Sequence, residues 1–267
     1  MKTIIAATDF TPSSLNACLY GAMLAQKLNC KLTIFNLFDI PVVHSNSGLY
    51  FISFATQKQH SESKMQKFIK KITVKYPHVH VESFLTSGSF KLEVESFVAK
   101  HKVEAVVMGL SAKSKIDKIV YGSHSTDVAG RINAQVIIVP DRYKKHQLKS
   151  ALLSVDNNEK LHHSSLVGLE NFVIDSKANL KVLHVRTEDE LFIPQQKELK
   201  ISGVPCKVNT VKAKTIEKGI VSFCKKNKTD LITVLSKHHS VLYDLFAESH
   251  TKRIAFASKV PVMAIHE

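Results

Sequence analysis

The chain has 267 residues and a net charge of +14, with 44% of its residues hydrophobic. That length suits two domains of ordinary size, and no run approaches the ~18–20 continuous apolar residues that a membrane span needs. Its four cysteines (Cys18, Cys30, Cys206, Cys224) show neither a Cys-x-x-Cys pair nor metal-ligand spacing, which is the pattern of reduced thiols in a cytoplasmic protein. Through His146 there are 19 Lys/Arg against 10 Asp/Glu, so the first half carries +9 and the remainder +5. In Ser61 to Tyr76, Lys64, Lys67 and Lys71 lie opposite Met65, Phe68, Ile69 and Ile72 at helical spacing. That pattern reads as a solvated helix face, so no nucleic-acid partner and no membrane partner is expected.

Thr3 to Thr8 is a short apolar run ending at Asp9, and Thr11-Pro12 carries the signals of a helix start. Leu15, Cys18, Leu19, Ala22, Met23 and Ala25 then recur at helical spacing. Lys31 to Phe38 predicts a second buried strand, Ser61 to Tyr76 a helix, His78 to Leu85 a strand, Lys91 to Lys100 a helix and Val103 to Met108 a strand. Gly109 is read as closing that strand, followed by a loop bearing Lys113, Lys115 and Lys118, a helix from about Ser123 and a last strand, Val136 to Pro140. Strands that are apolar on both faces and alternate with helices predict an α/β fold, a parallel sheet covered on both sides.

After a basic stretch from Tyr143 the pattern restarts. Ala151 to Asp156 mirrors Ile4 to Asp9, Lys181 to Val185 mirrors the second strand, and Leu231 to Val234 and Val262 to Ile265 mirror the fourth and fifth. An internal duplication follows, with expected domains 1–146 and 147–267. About twenty residues are missing from the second copy between its second and third strands, where Thr187 to Gly203 is expected to keep a shortened helix or none. The last strand of each copy is an edge that needs covering, so the copies are expected to pair there.

In an open parallel sheet, ligands bind outside the carboxyl ends of the strands. Those ends present Asp9, able to accept from a ribose hydroxyl or an adenine amine, Leu37, able to pack on a base, and Gly109. The spacing Gly109, two residues, Ala112, nine residues, Gly122-Ser123 resembles the nucleotide-binding signature of the universal stress protein family, which has glycine where Ala112 stands. Ala7 to Thr11, Val107 to Gly109 and Val136 to Pro140 are similar to that family's first, fourth and fifth strands. The resemblance covers the first copy and, more weakly, the second.

It implies two tandem Rossmann-like domains, each with an open five-stranded parallel sheet and helices on both faces. It also implies cytoplasmic location, pairing through the last strand, a homodimer, and in one subset ATP binding. Carried over residue by residue, the adenine and ribose contacts fall on Ala7, Asp9, Leu37 and Met108, and the phosphate contacts on Gly109, Gly122, Ser123, His124 and Ser125. The expected ligand is ATP, or ADP or AMP, with Mg as a possible companion ion. Ala112 is the departure: if that backbone needs φ > 0, alanine costs about 1 kcal/mol and its methyl crowds the phosphate. In the second copy Gly109 becomes Leu235, Ala112 becomes His238 and Gly122 becomes Glu248, so no nucleotide is expected there in this way.

Other constellations are weaker. His78 and His80 on one strand face, and the pairs His162-His163 and His238-His239, lack the carboxylate or cysteine spacing of a metal site. There is no Walker loop, no Gly-x-Gly-x-x-Gly and no nucleophile elbow. No catalytic residues are assigned, and an enzyme that hydrolyses ATP slowly or transfers phosphate would lack an identifiable base or metal ligand beyond Asp9. The leading expectation is a stress-related nucleotide binder, and the alternative is a nucleotide-free scaffold acting through protein contacts.

Overall fold

Thr11 and Pro12 start the first helix as their residue types predict. The Thr11 hydroxyl accepts from the Ser14 N–H, and proline occupies the first turn, where its missing N–H costs nothing. A computed structural model describes residues 1–38, 54–110, 134–155, 163–187, 198–201, 204–236, 254 and 257–266. Its elements are β1 (Thr3–Ala7), α1 (Pro12–Lys27), β2 (Lys31–Leu37), α2 (Phe54–Lys75), β3 (Val81–Thr86), α3 (Phe90–Lys100), β4 (Val103–Leu110) and β5 (Gln135–Pro140). They continue with β6 (Ser150–Val155), α4 (His163–Ser176), β7 (Asn179–Arg186), β8 (Glu198–Ile201), β9 (Val204–Lys212), α5 (Ile216–Asn227), β10 (Leu231–Ser236) and β11 (Val262–His266).

The strands form one sheet in the order β3-β2-β1-β4-β5-β11-β10-β6-β7-β9-β8. From the centre outward, β5-β4-β1-β2-β3 on one side has the same succession as β11-β10-β6-β7-β9 on the other. Neighbours within each set are parallel. The two sets meet at β5 and β11, which pair antiparallel with Ile137 opposite Met263. The last strands therefore cover each other, as edge protection requires. Because side chains alternate across a strand, Ile137 and Met263 enter one apolar cluster, with Ile4, Ile34 and Leu153, while Val136, Ile138, Val262 and Ala264 enter the other. Both clusters cross the junction.

One element differs from expectation. The shortened segment between the second and third strands of the second set holds β8, which pairs antiparallel with β9. Residues 198–201 thus add a sixth strand to that side. A second difference is that His78 and His80 precede β3 instead of lying within it; His80 meets Glu82, which also pairs with Lys31 at 2.7 Å.

The segment joining the two sets is tied down on both sides. Asp230, buried at the foot of β10, accepts from the Lys149 and Ser150 backbone N–H groups and from Gln147 Nε2 at 2.9, 3.2 and 2.9 Å. The Tyr143 hydroxyl donates to the Gln147 carbonyl, and its ring meets Tyr20 edge-on. His146 donates from Nε2 to Asn16 Oδ1 of α1 and accepts at Nδ1 from Lys75 of α2, each at 3.0 Å.

Candidate functional site

Ala7, Asp9, Leu37, Met108 and Gly109 converge at the carboxyl ends of β1, β2 and β4. Ala7 pairs with Phe35 of β2, and Ala6 with Val107 of β4, which places Met108 beside Ala7. Ala7, Met108 and the partly buried Leu37 all face the same apolar cluster, under α3. They form a continuous apolar shelf that ends at Asp9. Ala7 and Met108 are each only 3% exposed, so the described structure gives them core roles and leaves Leu37 as the apolar side chain with surface to offer.

The turn after β1 is built from short polar side chains. Thr8 Oγ1 accepts from the Phe10 N–H at 2.9 Å and shares a hydrogen bond with Ser14 Oγ at 3.0 Å. Phe10 sits at φ +62°, a conformation that side chains rarely adopt, and its ring is held edge-on by Phe68 of α2. Asp9 uses Oδ1 to accept from both the N–H and the hydroxyl of Thr11, which makes it a turn residue. Among the described residues no hydrogen bond falls on its Oδ2, so that oxygen is available to a hydroxyl donor.

Asn36 is a site residue that pattern reading missed. Its Nδ2 donates to the Thr8 carbonyl at 2.8 Å, pinning the peptide before Asp9. Its Oδ1 is buried without a protein partner among the described residues. In the second set, β6 pairs with β7 so that His184 takes the place of Asn36, and its Nδ1 donates to the Val155 carbonyl at 3.3 Å. Two different residues thus hold the same carbonyl. The available signal was a polar residue inside the apolar run of β2.

Gly109 is not where the strand ends. β4 runs on to Leu110, and Gly109 pairs with Val139 inside the sheet. A Cβ there would lie 2.9 Å from the Ser13 carbonyl oxygen, so the missing side chain lets the first turn of α1 rest on the strand. Ala112, Gly122, Ser123, His124 and Ser125, the expected phosphate contacts, lie outside the described residues.

On the second side the shelf is closed. Val185 occupies the place of Leu37, and α5 crosses it so tightly that a Cβ on Gly219 would lie 2.4 Å from Val185 Cγ1. Cys18 and Cys224 are buried, and burial raises both thiols above their ordinary pKa, Cys224 to about 11. They are packing groups. Among the described residues no group of three or more His, Cys, Asp or Glu could hold a metal ion, and no helix is long and apolar enough to cross a membrane.

A model of the universal stress protein family matches residues 1–140, more than half of the chain. This chain belongs to the universal stress protein family. Solved structures extend the likeness to both sides of the sheet. A universal stress protein from Archaeoglobus fulgidus DSM 4304 is similar over 99% of this chain and 96% of its own, with a TM-score of 0.65 and 18% identity. A functionally unknown protein from Pseudomonas aeruginosa PAO1 is similar over 100% of this chain and 92% of its own, with a TM-score of 0.53 and 9% identity. A universal stress protein solved in complex with cAMP aligns with 68% of this chain and 94% of its own at a TM-score of 0.30 and 12% identity, too low to bear on this chain's ligand. At these identities the likeness shows the fold alone. Comparison with curated proteins gives no significant match.

Proposed function

We propose that this universal stress protein binds an adenine nucleotide, ATP or one of ADP and AMP, at the strand ends of its first half and serves a regulatory role in a cytoplasmic stress response. Residues 1–146 and 147–267 are then tandem copies of one domain, and the second is a structural partner that binds no nucleotide. The carrying observation is the apolar shelf of Ala7, Leu37 and Met108 with the Asp9 carboxylate at its edge. An adenine ring has the flat apolar faces to lie against Leu37, and a ribose hydroxyl has the donor that Asp9 Oδ2 lacks. Phosphates fall to the backbone of Gly109, Ala112, Gly122 and Ser123, with His124 and Ser125, and Mg is the natural counter-ion. A homodimer would use another surface, since β5 and β11 already cover each other.

The test is release of adenine nucleotide from heat-denatured protein, followed by calorimetric titration with ATP, ADP and AMP. Absence of both bound nucleotide and binding heat would refute the proposal. Asp9→Asn should weaken binding about tenfold, the loss of one hydrogen bond to a charged acceptor.

A specific observation favours a second reading, a nucleotide-free scaffold. Gly109 is fully accounted for by Ser13, and Asp9 by Thr11, so both residues have structural reasons to be present. A chain that binds no nucleotide yet captures a protein partner would support it.

A further inference from the structure

We infer that Glu93, held in place by Thr86, reads the edge of the bound base and selects adenine over bases that carry a carbonyl at the same position. This rests on the adenine-nucleotide reading of the first half. The β2–β3 register pairs Phe35 with Phe84 and Leu37 with Thr86. Residues paired across parallel strands present side chains to the same face. Phe35 and Phe84 stack at 5.1 Å on the α3 side, so Thr86 stands beside Leu37 on that side.

Thr86 Oγ1 donates to Glu93 Oε2 at 2.8 Å. Glu93 comes from the first turn of α3, the helix that covers this face with Phe90, Val94 and Phe97. Its other oxygen, Oε1, lies 3.8 Å from where a side chain on Gly88 would begin. Gly88 has φ +117°, so the turn over that oxygen is kept without a side chain. Among the described residues no hydrogen bond falls on Oε1, so a carboxylate fixed through Oε2 by a hydroxyl keeps an acceptor for a donor.

The second half supplies the internal comparison. There the register pairs Val185 with Val211, so valine stands where Thr86 does. Four residues past the helix cap, where Glu93 follows Ser89, Gly219 follows Thr215. At these two matched positions the second half has no hydroxyl and no carboxylate; its own first-turn acid is Glu217, two residues earlier, with Thr210 on β9, and both of those have partners of their own. The second half caps its helix through the Thr215 side chain, which Ser89 does not do, so the placement of Thr86 with Glu93 is particular to the first half.

Adenine presents an exocyclic amine, a donor to a carboxylate. Hypoxanthine presents a carbonyl oxygen there, and two acceptors face to face leave both unsatisfied. The expected behaviour is therefore discrimination between ATP and inosine triphosphate that depends on Glu93.

The experiment is calorimetric titration of the full chain with both nucleotides, for wild type, Glu93→Gln and Thr86→Val, with thermal melting to confirm folding. Wild type should prefer ATP by about tenfold or more, and Glu93→Gln, whose amide can donate as well as accept, should reduce that ratio to about threefold or less. Thr86→Val should lower the ratio in the same direction, because it frees Glu93 to turn away. An unchanged ratio in both variants, with wild type binding ATP, overturns the role of Glu93 and leaves the nucleotide reading intact. Binding of neither nucleotide by wild type overturns both.

Discussion

Gly109 of β4 lies so close to α1 that its missing Cβ would sit 2.9 Å from the Ser13 carbonyl oxygen. The obstacle is backbone, which no rotamer change can remove. Gly109→Ala should therefore destabilise the chain by about 1–3 kcal/mol, the usual cost of overpacking. Urea denaturation measures it. An unchanged midpoint would show that α1 can lift, and the structural account of this glycine would fall.

Asn36 and His184 make the same prediction on opposite sides of the sheet. Each donates to a carbonyl at the carboxyl end of the neighbouring strand, Thr8 just past β1 and Val155 at the end of β6. Removing the donor leaves a carbonyl buried and unpaired, which costs about 1–3 kcal/mol. Asn36→Ala should also weaken nucleotide binding, because the Thr8 peptide precedes Asp9, whereas His184→Ala should lower stability alone. Denaturation midpoints and ATP titrations of the two variants separate the effects.

These residues show what could be read from the chain and what could not. Thr11-Pro12 announced α1 because capping is local chemistry, and the matched runs at Ala7 and Ser154 announced the repeated strand order because buried strands keep an apolar pattern. Gly109 was misread as a strand end, since nothing near it in sequence tells of Ser13 pressing from 96 positions away. β8 was missed because missing residues were read as a missing helix, while residues 198–201 pair antiparallel with β9. That Ala7, Asp9 and Leu37 come together could be expected because they stand at or just past the ends of β1 and β2. Asn36 and Glu93 could not be read so, because their importance lies in partners on other elements.

Asp230 should be the costliest single change in the joining segment. Three N–H groups converge on its carboxylate, from Gln147, Lys149 and Ser150. Asp230→Asn keeps the shape but turns an amide toward donors, so about 2–4 kcal/mol is expected from bonds to a charged acceptor. Because both apolar clusters run through β5 and β11, the loss should appear as one cooperative transition. Two separated transitions in the variant would show that the halves unfold independently.

His146 gives the chain a pH dependence of known sign. Burial, with Lys75 and Lys144 nearby, lowers its pKa from 6.5 to about 4, while Asn16 opposes the shift. Between those values the unfolded chain binds the proton and the folded chain does not, so stability is full above about pH 6.5 and falls as the pH drops toward 4. The size is on the order of 1 kcal/mol, since the group is only half-buried and solvent screens it. His146→Gln removes this titration. The stability gap between wild type and variant should shrink from pH 7.5 to pH 4.5, and a constant gap would contradict the assignment.

The closing of the second shelf can be tested through Gly219 and Val185. An alanine in a helix interior ordinarily gains about 0.5–1 kcal/mol over glycine. Here the new Cβ would meet Val185 Cγ1 at 2.4 Å, and Val185 is itself buried, so the clash should win and Gly219→Ala should cost about 1–3 kcal/mol. Val185→Ala removes both obstructing methyls. In that background Gly219→Ala should change sign and stabilise, giving a coupling of about 1–3 kcal/mol in the double-mutant cycle. Equal effects in both backgrounds would mean that α5 does not rest on Val185. The coupling matters beyond stability: Val185 holds the position of Leu37, and a helix seated on it buries that side chain, as the proposal that the second half binds no nucleotide requires.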